Sequence, residues 1–539
     1  MNMYTDDYFQ ALPPTAVYKA AADNHAEHTL LFELNPEPND DDLQFEMALY
    51  NTHPKNRQYV AAADQANRFK ANDLSLKKII DYVSQSGLTV KSNEENREVS
   101  VTGTLEQLAK LLGVSFHLYQ DEDGCTFLAY HGAIQLPADL RPYIIHIEGL
   151  NDGLKHGHIP SKHLKLADDF NEASPVRRFS RKTAPSTDAQ KRQIPQGYSP
   201  ADLTQTYRFP DNQGEGQTVG IIALGGTFNQ NDLNIFCKKF KLSVPELDIV
   251  GDEPWQNPQD KTVNDLEVNM DIQLVAGMVP KAKIVLYYAH TFEEGFQAVL
   301  SDHKNDVSVV STSWANGENY VSQAERAQQL LLIRHLSMRG ITVLAASGDD
   351  GIYQISSKRQ LPGINLPAGF AQVIACGGTT LYKNGTEQVW NEDSHASGGA
   401  FSNIYQAPTF QYEALTHYAT QYPYYSKQTC ATPDLAVNAS ITHHNLMIYN
   451  GHLFFAAGTS AATPILAGLI TRLNTALGYR LGYINNFLYQ LMGSSAFNSH
   501  IPGNNGLPAS QGWDPCTGLG SPNGVNLLNL IKETEAHWS

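Results

Sequence analysis

Apolar residues along this chain change their pattern near residue 200. Before it, short runs alternate between strand-like and helix-like spacing. Residues 28–35 hold the strand-like run Thr29-Leu30-Leu31-Phe32. Leu76, Ile79, Ile80 and Val83 fall on one face of a helix predicted over 74–86, and Gly87 stops it. Residues 98–102 alternate as a strand. Thr104 with Gln107 then forms a capping box that opens a helix through Leu105, Leu108, Leu111 and Leu112. Further short strands at 126–130 and 144–147 complete a ferredoxin-like βαββαβ order, so residues 1–153 are expected to form a small α+β domain.

Residues 154–193 break this pattern. They are polar, poor in large apolar side chains, and carry Arg177-Arg178 and Arg181-Lys182. The stretch is expected to be an exposed linker, where proteolytic processing concentrates. From 194 to 539, near-continuous apolar runs at 218–224, 283–288, 307–311 and 341–346 are separated by helical stretches such as 325–338. Buried strands alternating with helices imply an α/β fold, a doubly wound parallel sheet covered on both faces. Ligands in such sheets collect at the carboxyl ends of the strands.

Composition narrows the function. The 539 residues carry 55 acidic against 38 basic side chains, a formal charge of −17. That balance argues against nucleic acid and against anionic membranes as partners. No run of about 18 apolar residues exists, so no membrane span is expected. Residues 1–18 are polar and acidic and show no recognisable signal peptide. Five scattered cysteines, Cys125, Cys237, Cys376, Cys430 and Cys516, form neither a disulfide framework nor a Cys-x-x-Cys zinc motif.

Candidate chemistry starts at Ser460, in Gly458-Thr459-Ser460-Ala461-Ala462-Thr463-Pro464, a run suited to a nucleophilic serine at a helix start that Pro464 helps to begin. A serine must pass its proton to a base, ordinarily an imidazole held by a carboxylate. None of the eight histidines between His290 and Ser460 is followed by Gly-Thr, as a subtilisin-type base would be. Carboxylates are the remaining candidates. Glu267 and Asp271 lie four apart on a helical pattern, about 5–6 Å from Cβ to Cβ on one face. Buried together they would share a proton, and the glutamate would then act as base in mild acid. The plainer alternative is a solvated acidic face. Asp349 follows an apolar strand in Ala346-Ser347-Gly348-Asp349 and could donate a hydrogen bond to an oxyanion while protonated. Its plainer alternative is an ordinary turn aspartate.

In order and spacing, Glu267-x-x-x-Asp271, Ser347-Gly348-Asp349 and Gly458-Thr459-Ser460-Ala461 resemble the sedolisins, or serine-carboxyl peptidases, of the kumamolisin-like kind. Tyr198-Ser199-Pro200, Ser311-Thr312-Ser313-Trp314, Pro433-Asp434-Leu435 and Gly512-Trp513-Asp514 support the resemblance, as does His146-Ile147-Glu148 in the N-terminal part. It extends from about Thr29 to Leu530. The resemblance implies a subtilisin-like catalytic domain behind a prodomain that acts as chaperone and intramolecular inhibitor and is removed by self-cleavage. It implies Ser460 as nucleophile, Glu267 as base, Asp271 as its partner and Asp349 as oxyanion donor. The implied activity is acid-acting cleavage of peptides or proteins through an acyl-enzyme by a secreted monomer. Release of tripeptides, or a catalytically silent binding protein, are the alternatives.

The resemblance also implies one calcium ion (Ca2+) near the C-terminus. Asp514 matches one of its two carboxylates, with Gly512, Ser510 and His500 in neighbouring positions, but Ser499 stands where the second carboxylate is expected. Affinity follows ligand charge, so this change weakens the site. Ala223 stands where some relatives of this kind carry an outer glutamate, and Asp350 where the family has serine. The added charge of Asp350 is expected to favour the protonated form of Asp349.

Overall fold

The structure, a computed structural model, describes residues 3–6, 16–35, 40–61, 64, 70–71, 73–84, 86–93, 97–120, 126–151, 197–254, 261–355, 361–424 and 427–535. The expected linker at 154–193 and Cys125 lie outside them. The other four cysteines are buried and free of disulfides.

In the N-terminal domain an antiparallel sheet runs in the order Thr89–Asn93, Glu98–Thr104, Glu27–Leu34, Ile144–Glu148. The helices Asp73–Ser84 and Leu105–Leu112 connect these strands and pack Leu76, Ile79, Val83, Leu108 and Leu112 onto Leu30, Phe32, Val99 and Val101. This is the ferredoxin-like βαββαβ order, and the Thr104–Gln107 capping box is present. One strand is corrected. Thr126–His131 belongs to a separate sheet with Ser115–Gln120 and Val17–Ala21, and the second strand of the motif is Thr89–Asn93. That strand reads Thr-Val-Lys-Ser-Asn on an exposed edge, so no apolar alternation marks it.

In the C-terminal domain parallel strands run in the order Leu247–Val250, Lys283–Tyr288, Thr218–Ala223, Val309–Thr312, Thr342–Ala346, Val373–Leu381, and Leu435–Asn438 pairs with the last of these. Both sheet faces are apolar. Ile221 and Leu344 join a core that includes Ile272, Val275, Ile465 and Leu469, while Ile222, Val343 and Ala345 join Phe292, Phe296, Leu332 and Leu336 on the other side. The helices Lys261–Met278 and Thr459–Leu477 therefore share one face of the sheet. They come close where Gly468 faces Met278, since a Cβ at Gly468 would lie 2.3 Å from the Met278 Cβ.

The two domains are joined through the helix Gln323–Met338. Ala324 enters the N-terminal core, Gln328 Nε2 donates to Glu33 Oε1 at 2.9 Å, and Arg334 Nε donates to Glu46 Oε2 at 2.7 Å. The Tyr59 side chain closes over Gly340 and Gly482, where added Cβ atoms would lie 2.6 and 2.7 Å from it. Arg57 donates to the carbonyls of Leu481 and Tyr483.

Gly468→Ala tests the helix contact. Helix propensity alone would add about 1 kcal/mol of stability. Overpacking costs about 1–3 kcal/mol, so the expected net effect is a lower melting temperature. A higher one would show that the helices separate freely.

Candidate active site

Fourteen of the eighteen residues of the helix Lys261–Met278 are buried. Leu266, Met270 and Leu274 meet Met447, Ala456 and Ala461 on one side, and Val268, Ile272 and Val275 enter the main core on the other. Glu267 and Asp271 are carried inward with them, both 0% exposed. The solvated acidic face is thereby ruled out. Burial pushes the Glu267 carboxyl well above its ordinary range, the nearby Asp271 and Asp349 add to this, and the Ser460 and Ser313 hydroxyls oppose it. Burial raises Asp271 likewise, opposed by Ser313. Neither carboxyl has a cation among the causes of its shift.

Ser460 arrives from the opposite helix. The chain turns into Thr459–Leu477 at Gly458, whose φ of +85° suits glycine. Ser460, 1% exposed, sits in the first turn, where its N–H has no intrahelical acceptor. Its hydroxyl donates to the Ser313 carbonyl at 3.3 Å in this resting geometry. Pro464 lies inside the helix rather than at its start. Having no N–H, it leaves the Ser460 carbonyl without its usual i+4 donor. Ser313 takes that place. Its Oγ lies 3.1 Å from the Ser460 carbonyl and 2.7 Å from Asp271 Oδ1, and its single proton serves one of them at a time. Ser313 follows directly on the strand Val309–Thr312, so the sheet's carboxyl edge ties the carboxyl pair to the serine helix.

Asp349 stands just past the next strand, Thr342–Ala346. Gly348 turns the chain there with φ of +111°, and a Cβ on it would lie 2.4 Å from Asn365 Nδ2. Asp349 is 3% exposed, and its Oδ1 accepts the Thr459 N–H and the Thr459 hydroxyl, each at 2.8 Å. Glu267, Asp271, Ser460 and Asp349 are thus brought to one edge of the sheet. Ser313 and Thr459 were legible only as parts of motifs, because nothing in a sequence says which hydroxyl faces which carboxyl. Ala223 ends its strand buried, and Asp350 stays half-buried beside Asp349.

Among the expected calcium residues Asp514 alone supplies a carboxylate. Asp514 is buried, and its Oδ1 accepts the Cys516 and Thr517 N–H groups at 2.9 and 2.8 Å while Oδ2 accepts the Ser510 N–H at 3.1 Å. The Thr517 hydroxyl lies within 3.3 Å of both oxygens. Gly512 turns the loop at φ of +93° beside the His417 ring. Ser499 and His500 follow the short strand Phe497–Asn498, Ser499 half-buried and His500 exposed. One carboxylate that its own loop already saturates with donors does not fit a hard cation that takes 6–8 oxygens. Among the described residues no group of three His, Cys, Asp or Glu side chains could hold a metal ion.

Residues 14–152 match the family model described as pro-kumamolisin, activation domain, and residues 177–513 match the one described as subtilase family. Kumamolisin of Bacillus sp. (strain MN-32) is 30% identical over 452 residues, covering 80% of this chain and 78% of the relative. Tripeptidyl-peptidase 1 of Bos taurus is 24% identical over 566 residues, covering 97% and 95%. The solved structure of Pseudomonas sedolisin, a serine-carboxyl proteinase complexed with pseudo-iodotyrostatin, superposes with a TM-score of 0.55 at 27% identity, covering 63% of this chain and 99% of that one.

Two outcomes follow from this geometry. A carboxyl whose pKa is raised by folding contributes stability below its ordinary pKa, and that contribution is lost as the pH rises through the folded value. Glu267→Gln, made in a Ser460→Ala background, should therefore melt above its parent at pH 7, with the gap closing toward pH 4. A gap independent of pH would show that Glu267 is solvated. Adding calcium or a chelator should leave the melting temperature within about 1 °C; a calcium-dependent rise of several degrees would restore the metal site.

Proposed function

We propose that this chain, which belongs to the sedolisin family of serine-carboxyl peptidases and is made as a zymogen with an inhibitory N-terminal domain, is an acid-acting endopeptidase with Ser460 as its nucleophile. The observation that carries the reading is the convergence of Ser460 with two fully buried carboxyls at the carboxyl edge of the sheet, with no imidazole among the groups that act on Glu267.

In the first step the Ser460 hydroxyl turns from the Ser313 carbonyl toward Glu267, and its proton passes to the Glu267 carboxylate as Oγ bonds to the scissile carbonyl carbon. Before this step Asp271 holds the proton shared with Glu267, so the pair carries one negative charge, and it becomes neutral as the serine proton arrives. The carbonyl oxygen becomes an oxyanion, met by the Ser460 N–H and by the protonated carboxyl of Asp349. Glu267 returns the proton to the leaving amine, and the C–N bond breaks to give an acyl-enzyme. Water then attacks the ester, giving a proton to Glu267, and Ser460 takes one back as it leaves. Acidity is required because Asp349 must keep its proton, and it is tolerated because the base is a carboxylate rather than an imidazole.

The substrate is a peptide or protein, and the enzyme acts as a monomer in an acidic extracellular setting. The charge of −17 supports this, since protonation of a strongly acidic surface relieves its self-repulsion. No helix among the described residues is long and apolar enough to cross a membrane. A tripeptidyl activity is the alternative, because tripeptidyl-peptidases stand among the relatives.

The test is incubation of the purified chain at about pH 3–5, where a carboxylate base still works, followed by mass and by peptide hydrolysis. Loss of a fragment ending between residues 155 and 193, together with internal cleavage of peptides, is expected in the parent and absent in Ser460→Ala. Glu267→Gln should lower kcat by at least about 10²-fold. Release of tripeptides alone would replace the endopeptidase reading, and no cleavage at any acidic pH would leave a binding protein.

A further inference from the structure

We propose that Thr459 is a positioning residue for the oxyanion donor, selecting which oxygen of Asp349 carries the proton. Two donors from one residue converge on Asp349 Oδ1, the Thr459 N–H and the Thr459 hydroxyl, each at 2.8 Å. The hydroxyl has no freedom to point elsewhere. Gly348 N–H donates to Thr459 Oγ1 at 3.1 Å, so the lone pair on that side is taken and the hydroxyl proton is directed to Asp349. Thr459 is 1% exposed, so water does not compete for these bonds.

A neutral carboxyl has one oxygen that only accepts and one that carries the proton. Placing the proton on Oδ1 would set an O–H against two converging donors. The neutral acid therefore carries it on Oδ2, and Oδ2 is the oxygen that serves as donor. Nearby, Thr459 precedes the nucleophile and Gly348 precedes the oxyanion donor, so one hydrogen-bonded chain, Gly348 N–H to Thr459 Oγ1–H to Asp349 Oδ1, couples the two catalytic loops. Thr459 also favours the ionised carboxyl through the same two bonds, which limits how far up the pH scale the proton is kept. The balance between these effects is a measurable signature.

The inference rests on the reading of Asp349 as oxyanion donor, and the experiment separates the two. The full-length chain is converted at acid pH, its active sites are counted by the acyl-enzyme burst, and kcat and KM are followed against pH. Thr459→Val is expected to lower kcat by about 10- to 100-fold with KM little changed. It should also move the alkaline limb of the kcat profile to higher pH, because the ionised carboxyl loses a hydrogen bond. Thr459→Ser should restore both. Should Thr459→Val not fold, Thr459→Cys, with a weak donor of similar size, reads the same shift. A limb and kcat that stay at the parent values in the valine or cysteine variant overturn the role of Thr459. A fall in kcat with an unmoved limb also overturns it, leaving Thr459 a packing residue. Full turnover in Asp349→Ala instead overturns the oxyanion reading itself.

Discussion

Everything at this site depends on removing two carboxyls from water on the same helix. Glu267 and Asp271 are one turn apart, wholly buried, and have no cation among the groups that shift them. Taking two like charges into such a place is unfavourable enough that one proton must be shared. That condition sets the chemistry. A singly ionised pair is a base that survives acid, and acid is also what keeps a carboxyl available as an oxyanion donor. In the proposed mechanism a carboxylate base and Asp349 as oxyanion donor both follow from that one constraint.

The rest of the fold exists around that pair. Gly468 lets the Ser460 helix come against the Met278 side chain on the Glu267 helix, so the proposed nucleophile and base are carried on two closely packed helices. Pro464 withholds the donor that would have served the Ser460 carbonyl, and Ser313 reaches both that carbonyl and Asp271. Gly458 and Gly348 supply the turns that aim Ser460 and Asp349 at one point. Ser313, Gly458 and Gly348 lie at the ends of elements, where a parallel sheet gathers its loops.

The helix periods, the capping box at Thr104 and the buried strands were legible because apolar spacing and local hydrogen bonding are written into short windows. Thr89–Asn93 was not, since an exposed edge strand needs little apolar surface. The four site residues were legible in order, but Glu267 and Asp271 alone read as a surface pair. Their burial comes from the second apolar face of the helix, Val268, Ile272 and Val275, and from residues of a distant hairpin such as Met447 and Ala456. A motif likewise marks Asp514 but does not reveal that Ser510, Cys516 and Thr517 donate to its oxygens.

Acidity also governs the fold beyond the site. Burial raises Asp434 and Glu293 to about 7 and Asp514 to about 6, and raises Glu387 as well. Each of these groups holds its proton in the folded chain at a pH where the unfolded chain has lost it, so each stabilises the fold as the pH falls from neutral toward the ordinary carboxylate range. Carboxylates of the opposite kind sit at the surface. Asp248, held by Lys304 and Lys283, is lowered to about 2, so its contribution begins to fade below its ordinary pKa and is lost as the pH falls through about 2. The buried set thus gains stability over the same interval in which the proposed chemistry becomes possible, while the surface set gives way at the acid end of that interval and below it. The chain that buries two carboxyls at its proposed site thus repeats the same arrangement elsewhere in its core.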